Sequence, residues 1–179
     1  AELIKLYKEG NVSFENVIVY NISDFFPLLP EGPSTMKRLN DLLLDQVNIK
    51  AENIRTIDPA ITKENMYEYC KAYEQSIADE GGIDITVCEI GAIGSLAFNE
   101  PGSAPSSLCR LVLLGSEARH IIASDYSCEH VPTNAITLGI SNLLSARRIV
   151  TMAWGENNAA IIKNTVEEPA SAAVPASFL

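Results

Sequence analysis

The chain has 179 residues, of which 47% are hydrophobic and 20% are charged, and this composition is typical of one globular domain. Thirteen basic residues against 23 acidic residues give a formal charge of −10. A charge of that sign repels a phosphate backbone, which argues against nucleic acid as a partner.

The chain lacks an apolar run that approaches the roughly 20 residues of a membrane helix, and its first residues lack the layout of a signal peptide. We therefore expect a cytoplasmic protein with no membrane partner. The four cysteines are widely spaced, without a Cys-x-x-Cys pair, and there are only two histidines. This pattern indicates neither a disulfide framework nor a zinc site, so we expect free thiols and no metal or other cofactor.

Residues 1–9 have helical periodicity but begin without a capping residue, which predicts the end of a longer helix and a chain shortened at both ends. Apolar runs predict strands at 17–20, 54–57, 83–88, 110–114, 134–138 and 148–154, the last of them long and buried. Helical spacing predicts further helices at 34–47, 62–78, 139–145 and 158–166, the first capped by Ser34, and a helix or turn at 116–124. This alternation predicts an α/β fold with a doubly wound, mostly parallel sheet. The helix at 34–47 carries an apolar stripe expected in the core, formed by Met36, Leu39, Leu42, Leu43 and Val47, and the helix at 62–78 carries Tyr67, Cys70, Tyr73 and Ile77 on one face.

The segment 89–103, EIGAIGSLAFNEPGS, directly follows the predicted strand at 83–88. Gly91 and Gly94 allow backbone conformations and close approaches that a side chain would prevent. The carboxyl end of a strand in an open α/β sheet is where ligands usually bind. The segment therefore predicts a ligand site, and a strand-to-helix turn without a ligand is the alternative.

Residues 96–103, LAFNEPGS, resemble the signature of the glucosamine-6-phosphate deaminase/isomerase family, which usually reads G-x-G-x-x-G-H-I-x-F-N-E-P. Four further segments resemble the family's second strand with its active-site turn, a late strand and the end of the domain: 11–28, 131–139, 152–156 and 174–179. We identify residues 1–179 as one isomerase-like domain of this family. The resemblance implies a Rossmann-like, three-layer fold whose first strand and glycine-threonine phosphate loop would precede Ala1.

The family's catalytic base is an aspartate in an N-x-D-E-Y turn. Here the turn begins at Asn21 and reads N-I-S-D-F, which puts Ser23 at the base position. A serine hydroxyl has no accessible anionic form near neutral pH without an adjacent base, so it does not take a carbon-bound proton unaided. Asp24 lies one position along and takes over this role only if the turn is rebuilt, because a one-residue shift redirects the side chain.

The ring-opening positions of the family, an aspartate and a histidine in many members, are Ile93 and Ser95 here. Glu100 of the Asn-Glu-Pro segment matches the family glutamate that orients the histidine. Glu100 is therefore the second catalytic candidate, and the alternative is that it caps a turn through backbone N–H groups.

The resemblance also assigns substrate-binding positions: Asn21, Gly91, Gly94, Asn99 and Asn158. Asn158 replaces a lysine, and Ser124 replaces an arginine that binds phosphate in many single-domain members. Arg110 and Ser103 match positions that contribute to an effector site in some members, although the companion lysine there is Val112.

The family membership implies a protein of amino-sugar phosphate metabolism with a sugar-phosphate ligand, and it is compatible with a homo-oligomer. One hypothesis is a rearranged catalytic site that uses Asp24 and Glu100. A second is a non-catalytic sugar-phosphate-binding or interaction module on the same fold. A lactonase of the same superfamily is a third, which the Asn-Glu-Pro segment disfavours.

Overall fold

The computed structural model describes all 179 residues. Six α-helices are α1 (Glu2–Lys8), α2 (Thr35–Leu42), α3 (Met66–Asp79), α4 (Ser116–Asp125), α5 (Ile140–Leu144) and α6 (Ala159–Glu167). Seven strands are β1 (Val19–Tyr20), β2 (Ser23–Phe26), β3 (Ile54–Arg55), β4 (Ile85–Glu89), β5 (Arg110–Leu113), β6 (Asn134–Thr137) and β7 (Arg148–Met152). None of the helices is long and apolar enough to cross a bilayer.

The strands form three separate hydrogen-bonded groups. β1 pairs with β3, and β4 pairs with β7, both in parallel register. β6 lies between β2 and β5 and pairs antiparallel with each. The two parallel pairs agree with the predicted sheet, whereas the antiparallel sheet departs from it. The sequence predicts residues 23–26 as part of a turn, but all four are buried and form β2, the strand that pairs antiparallel with β6.

Helix α3 forms the centre of the core. Its buried residues are Met66, Cys70, Tyr73 and Ile77, a spacing that puts them on one face of a helix. Tyr67 is predicted on this face, but it is 69% exposed. The buried face contains Met66 in its place. The Tyr73 hydroxyl donates to the carbonyl oxygens of Asn21 (2.9 Å) and Arg55 (3.0 Å), so α3 fixes the carboxyl ends of β1 and β3.

Helix α2 begins at the predicted cap, because the Ser34 side chain accepts a hydrogen bond from the backbone N–H of Lys37. The helix ends at Leu42, which is 60% exposed, rather than near residue 47. The predicted apolar stripe of α2 therefore contributes little to the core beyond Met36.

One face of the β4–β7 pair is open. Val87 is 53% exposed and its partner Val150 is 47% exposed, although the sequence predicted that the strand at 148–154 would be buried. β1 pairs only with β3 and β4 only with β7, so each has a free edge. Parallel sheets are normally covered on both faces. The strands β4 and β7 have the apolar sequence of buried strands, but within residues 1–179 one face of this pair is exposed.

Candidate active site

The segment predicted as the active-site turn leads directly into β2. Ser23 is buried and lies opposite Thr137 of β6, so this predicted base position belongs to a strand. The neighbouring Asn21 is also buried. Its Oδ1 accepts from the Thr35 hydroxyl at 3.3 Å, and its Nδ2 donates to the Asp24 carboxylate at 3.3 Å.

Asp24 is 1% exposed, and its carboxylate accepts hydrogen bonds from five donors. Three come from the start of α2: the backbone N–H groups of Thr35 (3.0 Å) and Met36 (3.2 Å), and the hydroxyl of Ser34 (2.9 Å). A carboxylate is favourable there because the N-terminus of a helix carries unpaired N–H groups and a partial positive charge. Asp24 therefore anchors α2 to β2.

Glu100 occupies an equivalent position at the start of α4. Its two carboxylate oxygens lie 3.1 and 3.2 Å from the backbone nitrogen of Gly115, the residue that precedes α4. This geometry supports the alternative in which Glu100 caps a turn.

Asn99 is fully buried and every polar atom of its side chain is engaged. Its Nδ2 donates to the carbonyl oxygens of Leu96 and Leu138, both at 2.9 Å, and its Oδ1 accepts from Arg110 Nη1 at 2.9 Å. Asn99 thus holds the Asn-Glu-Pro segment against the end of β6.

Gly91 and Gly94 form a tight turn after β4, closed by the hydrogen bond from Gly94 N to Gly91 O at 2.8 Å. Gly94 has a φ of +74°, and a Cβ there would lie 2.8 Å from Val174 Cγ1 and 3.0 Å from Ile161 Cδ1. The positive φ favours glycine here, and any other residue would also require the Val174 and Ile161 side chains to move. Asn158 lies just before α6, and its Nδ2 donates to the Trp154 carbonyl at 2.7 Å.

The structure places the predicted site residues in three groups. Asn21, Ser23 and Asn99 lie where β2, β6 and the Asn-Glu-Pro segment meet. The turn at 91–94 packs on α6, which follows Asn158. Both groups border one hydrophobic cluster that contains Leu96 and Leu138. Glu100 instead lies at the start of α4, on the wall of a separate cavity.

This cavity has a volume of about 510 Å³. Its polar lining includes Glu100, Ser103, Ser107 and Arg110. Arg110 Nη2 donates to the Ser103 hydroxyl at 3.3 Å, and burial lowers the pKa of the Arg110 guanidinium. The cavity thus holds a partly desolvated cation beside two hydroxyl groups.

Two residues that organise these groups were not singled out from the sequence. Thr35 donates to Asn21 Oδ1 and to the Ser23 carbonyl, and the Pro-Ser-Thr start of α2 was the available signal. Glu74 of α3 accepts from the backbone N–H of Cys109 at 2.9 Å and from Asn142 Nδ2 at 2.7 Å. No local pattern marks Glu74, because its partners are 35 and 68 residues away.

Known proteins similar to this chain include glucosamine-6-phosphate deaminases and 6-phosphogluconolactonases. A family model described as glucosamine-6-phosphate isomerases/6-phosphogluconolactonase matches residues 2–179. A putative glucosamine-6-phosphate deaminase-like protein of Bacteroides thetaiotaomicron is 44% identical over 181 residues, covering 100% of this chain and 27% of that protein. A glucosamine-6-phosphate deaminase of Thermoanaerobacter sp. is 34% identical over 179 residues, covering 99% of this chain and 70% of that protein. The chain therefore spans about a quarter of the first relative.

Solved structures confirm the predicted fold class. A monomeric glucosamine-6-phosphate deaminase aligns with a TM-score of 0.90 at 29% identity, over 98% of this chain and 73% of that chain. A 6-phosphogluconolactonase of Thermotoga maritima aligns with a TM-score of 0.72 at 16% identity, over 98% of this chain and 75% of that chain. Together with the family match over nearly every residue, these similarities show that the chain belongs to the glucosamine-6-phosphate isomerase/6-phosphogluconolactonase family.

Proposed function

We propose that this chain is a deaminase-like domain that binds a sugar phosphate and has lost the proton-transfer chemistry of its family. The observation that carries this proposal concerns Asp24 and Glu100, the two carboxylates that are candidates for catalysis. Each of them accepts hydrogen bonds at the N-terminus of a helix. The positions that match the family's base and ring-opening residues hold Ser23, Ile93 and Ser95, none of which exchanges a proton readily near neutral pH.

A general base must reach its substrate proton with a free lone pair. Asp24 is buried, and three of its five hydrogen bonds come from the start of α2. To act as a base it would have to release several of these donors, each of which would then lose a charge-assisted hydrogen bond. The geometry therefore favours a structural role for Asp24 over the rearranged catalytic site.

The cavity beside Arg110 is our candidate for sugar-phosphate binding. Its volume of about 510 Å³ falls within the range of small-molecule pockets. The Arg110 guanidinium and the Ser103 hydroxyl supply the type of donor that phosphate oxygens prefer. The predicted substrate positions Asn21, Gly91, Gly94, Asn99 and Asn158 lie outside the cavity lining. Asn99 is joined to the cavity through its hydrogen bond from Arg110 Nη1 at 2.9 Å.

The experiment that tests this function mixes the longest natural version of the chain with glucosamine 6-phosphate at neutral pH. We expect a higher melting temperature with the phosphorylated sugar than with glucosamine, the matched control without phosphate. We also expect less than about 0.1 ammonia released per second, a hundredfold below the roughly 10 per second of a typical enzyme. Faster release would establish the rearranged catalytic site, and an unchanged melting temperature would remove the binding role.

We also propose that residues 1–179 are one isomerase-like domain whose sheet is completed by a strand from outside these residues. β1 and β4 both lie on α3: Tyr20 of β1 packs on Tyr73 with ring centroids 5.6 Å apart, and Cys88 of β4 belongs to the same hydrophobic cluster as Tyr73. Yet β1 and β4 are not paired with each other. A strand between them would pair both free edges.

A longer natural version of the protein should bind less of a dye that reports exposed apolar surface than residues 1–179 alone. The reason is that a parallel strand needs a crossover connection that packs on a face of the sheet, and this connection would cover the open face of Val87 and Val150. Backbone amides of β4 should also exchange hydrogen more slowly in the longer version, while those of β6, which is paired on both sides, serve as the internal control. Equal dye binding and equal exchange in β4 would contradict the completed sheet.

A further inference from the structure

Two of the four free thiols lie side by side in the core. Cys70, on the buried face of α3, is 3% exposed, and Cys109, which directly precedes β5, is half-buried. Both contact the hydrophobic cluster that contains Phe26 and Ile136. They are far apart in the sequence, so only the packing of α3 against β5 brings them together.

The backbone of Cys109 is fixed above the helical turn that carries Cys70. Its N–H donates to Glu74 Oε1 at 2.9 Å, and Glu74 lies one turn after Cys70 on α3. The same oxygen accepts from Asn142 Nδ2 at 2.7 Å, so the glutamate is held from two sides. Cys109 therefore has little freedom to move away from Cys70.

The two thiols also affect each other's titration. The Cys109 thiol lowers the pKa of the Cys70 thiol, against the opposing effects of burial and of the Glu74 carboxylate. The Cys70 thiol and burial together raise the pKa of the Cys109 thiol. These mutual effects agree with the packing of Cys109 over the turn of α3 that carries Cys70.

We propose that Cys70 and Cys109 form a reversible intramolecular disulfide when the protein meets hydrogen peroxide, and that this pair is a redox modification site. Peroxide reaches the pair from the side of Cys109, the less buried thiol. In the first step one sulfur of the pair attacks a peroxide oxygen, the O–O bond breaks, and the other oxygen takes the thiol proton and leaves as water, which gives a sulfenic acid. The second sulfur then attacks the oxidised sulfur, and the hydroxyl group leaves with the second thiol proton as another water.

The other two cysteines provide internal controls. Burial alone raises the pKa of the Cys88 thiol, and no other thiol contributes to that shift. Cys128 is half-buried in the turn after α4. Neither cysteine has the paired arrangement of Cys70 and Cys109.

The disulfide would connect α3 to β5 immediately before Arg110, which lines the cavity described above. It would close a covalent loop across two elements that are now joined only by packing and hydrogen bonds. The inference itself does not rest on the proposed function, because it concerns thiols outside the predicted substrate positions.

The test treats the intact protein with a small excess of hydrogen peroxide, denatures it, and titrates free thiols. We expect the count to fall from the four free cysteines to two, with a peptide map that joins Cys70 to Cys109 and full recovery after dithiothreitol. Cys88→Ser and Cys128→Ser should each still lose two thiols, whereas Cys109→Ser should form no intramolecular disulfide. The proposal would be overturned if four thiols survive, if the bridge joins other cysteines, or if only disulfide-linked dimers form. The peptide map of the unsubstituted protein gives this answer even if a variant misfolds.

Discussion

Turnover of glucosamine 6-phosphate should rise by several decades when Ser23→Asp, Ile93→Asp and Ser95→His are combined in the longest natural version of the chain. These changes restore the acid and base types that the family carries at those positions. A single acid or base role typically contributes about 10²- to 10⁴-fold in rate. The three roles do not multiply, because residues that act as one unit are non-additive. Ammonia and fructose 6-phosphate release measure the gain.

The structure sets conditions for this gain. Ser23 is buried in β2, and its backbone N–H donates to Asn21 Oδ1. An aspartate there adds a second buried carboxylate, which needs hydrogen-bond donors of its own. Ser95 Oγ lies so close to Gly91 that even a Cβ on Gly91 would collide with it, so a histidine at 95 requires the turn to adjust. Melting temperature and circular dichroism must therefore show that the triple variant folds.

The matched control replaces the same positions with amides: Ser23→Asn, Ile93→Asn and Ser95→Gln. These side chains have similar sizes but do not exchange protons near neutral pH, so we expect no gain in turnover. If the folded acid/base variant is no faster than the amide variant, the pocket has changed shape as well as chemistry. In that case, the loss of acid and base side chains is not sufficient to explain the proposed loss of activity.

Replacing Asp24 with alanine should lower the free energy of unfolding by about 3–5 kcal/mol. The substitution leaves the buried N–H groups of Thr35 and Met36 without their acceptor, and it separates α2 from β2. An unpaired buried donor typically costs about 1–3 kcal/mol, and hydrogen bonds to a charged group are stronger than neutral ones. Urea unfolding at neutral pH measures the change.

Asp41→Ala is the matched control, because Asp41 lies on the same helix but is exposed; we expect a change within about 0.5 kcal/mol. Asp24→Asn should fall between the two, since an amide keeps the size but presents only one acceptor oxygen to the start of α2. A loss below about 1 kcal/mol for Asp24→Ala would contradict the anchoring role. It would also return Asp24 to consideration as the catalytic base.

Local patterns in the sequence were sufficient for several elements of this fold. Ser34 was predicted as a helix cap because a hydroxyl before a helical run commonly accepts from the first turn, and the structure confirms the bond. The spacing of Cys70, Tyr73 and Ile77 predicted α3 and most of its buried face. These signals act between residues that are close in sequence, so they can be interpreted without knowing the rest of the fold.

The sequence by itself thus determined the alternation of strands and helices and the family membership, and it predicts that Ser23, Ile93 and Ser95 occupy the family's acid and base positions. The tertiary structure alone decided that Asp24 holds α2, that Glu100 meets the start of α4, and that β7 is exposed. The physical reason is distance along the chain: the donors to Asp24 from α2 lie 10 to 12 residues away, and the partner of Glu100 lies 15 residues away. Exposure of an apolar strand depends in the same way on which other segments cover it.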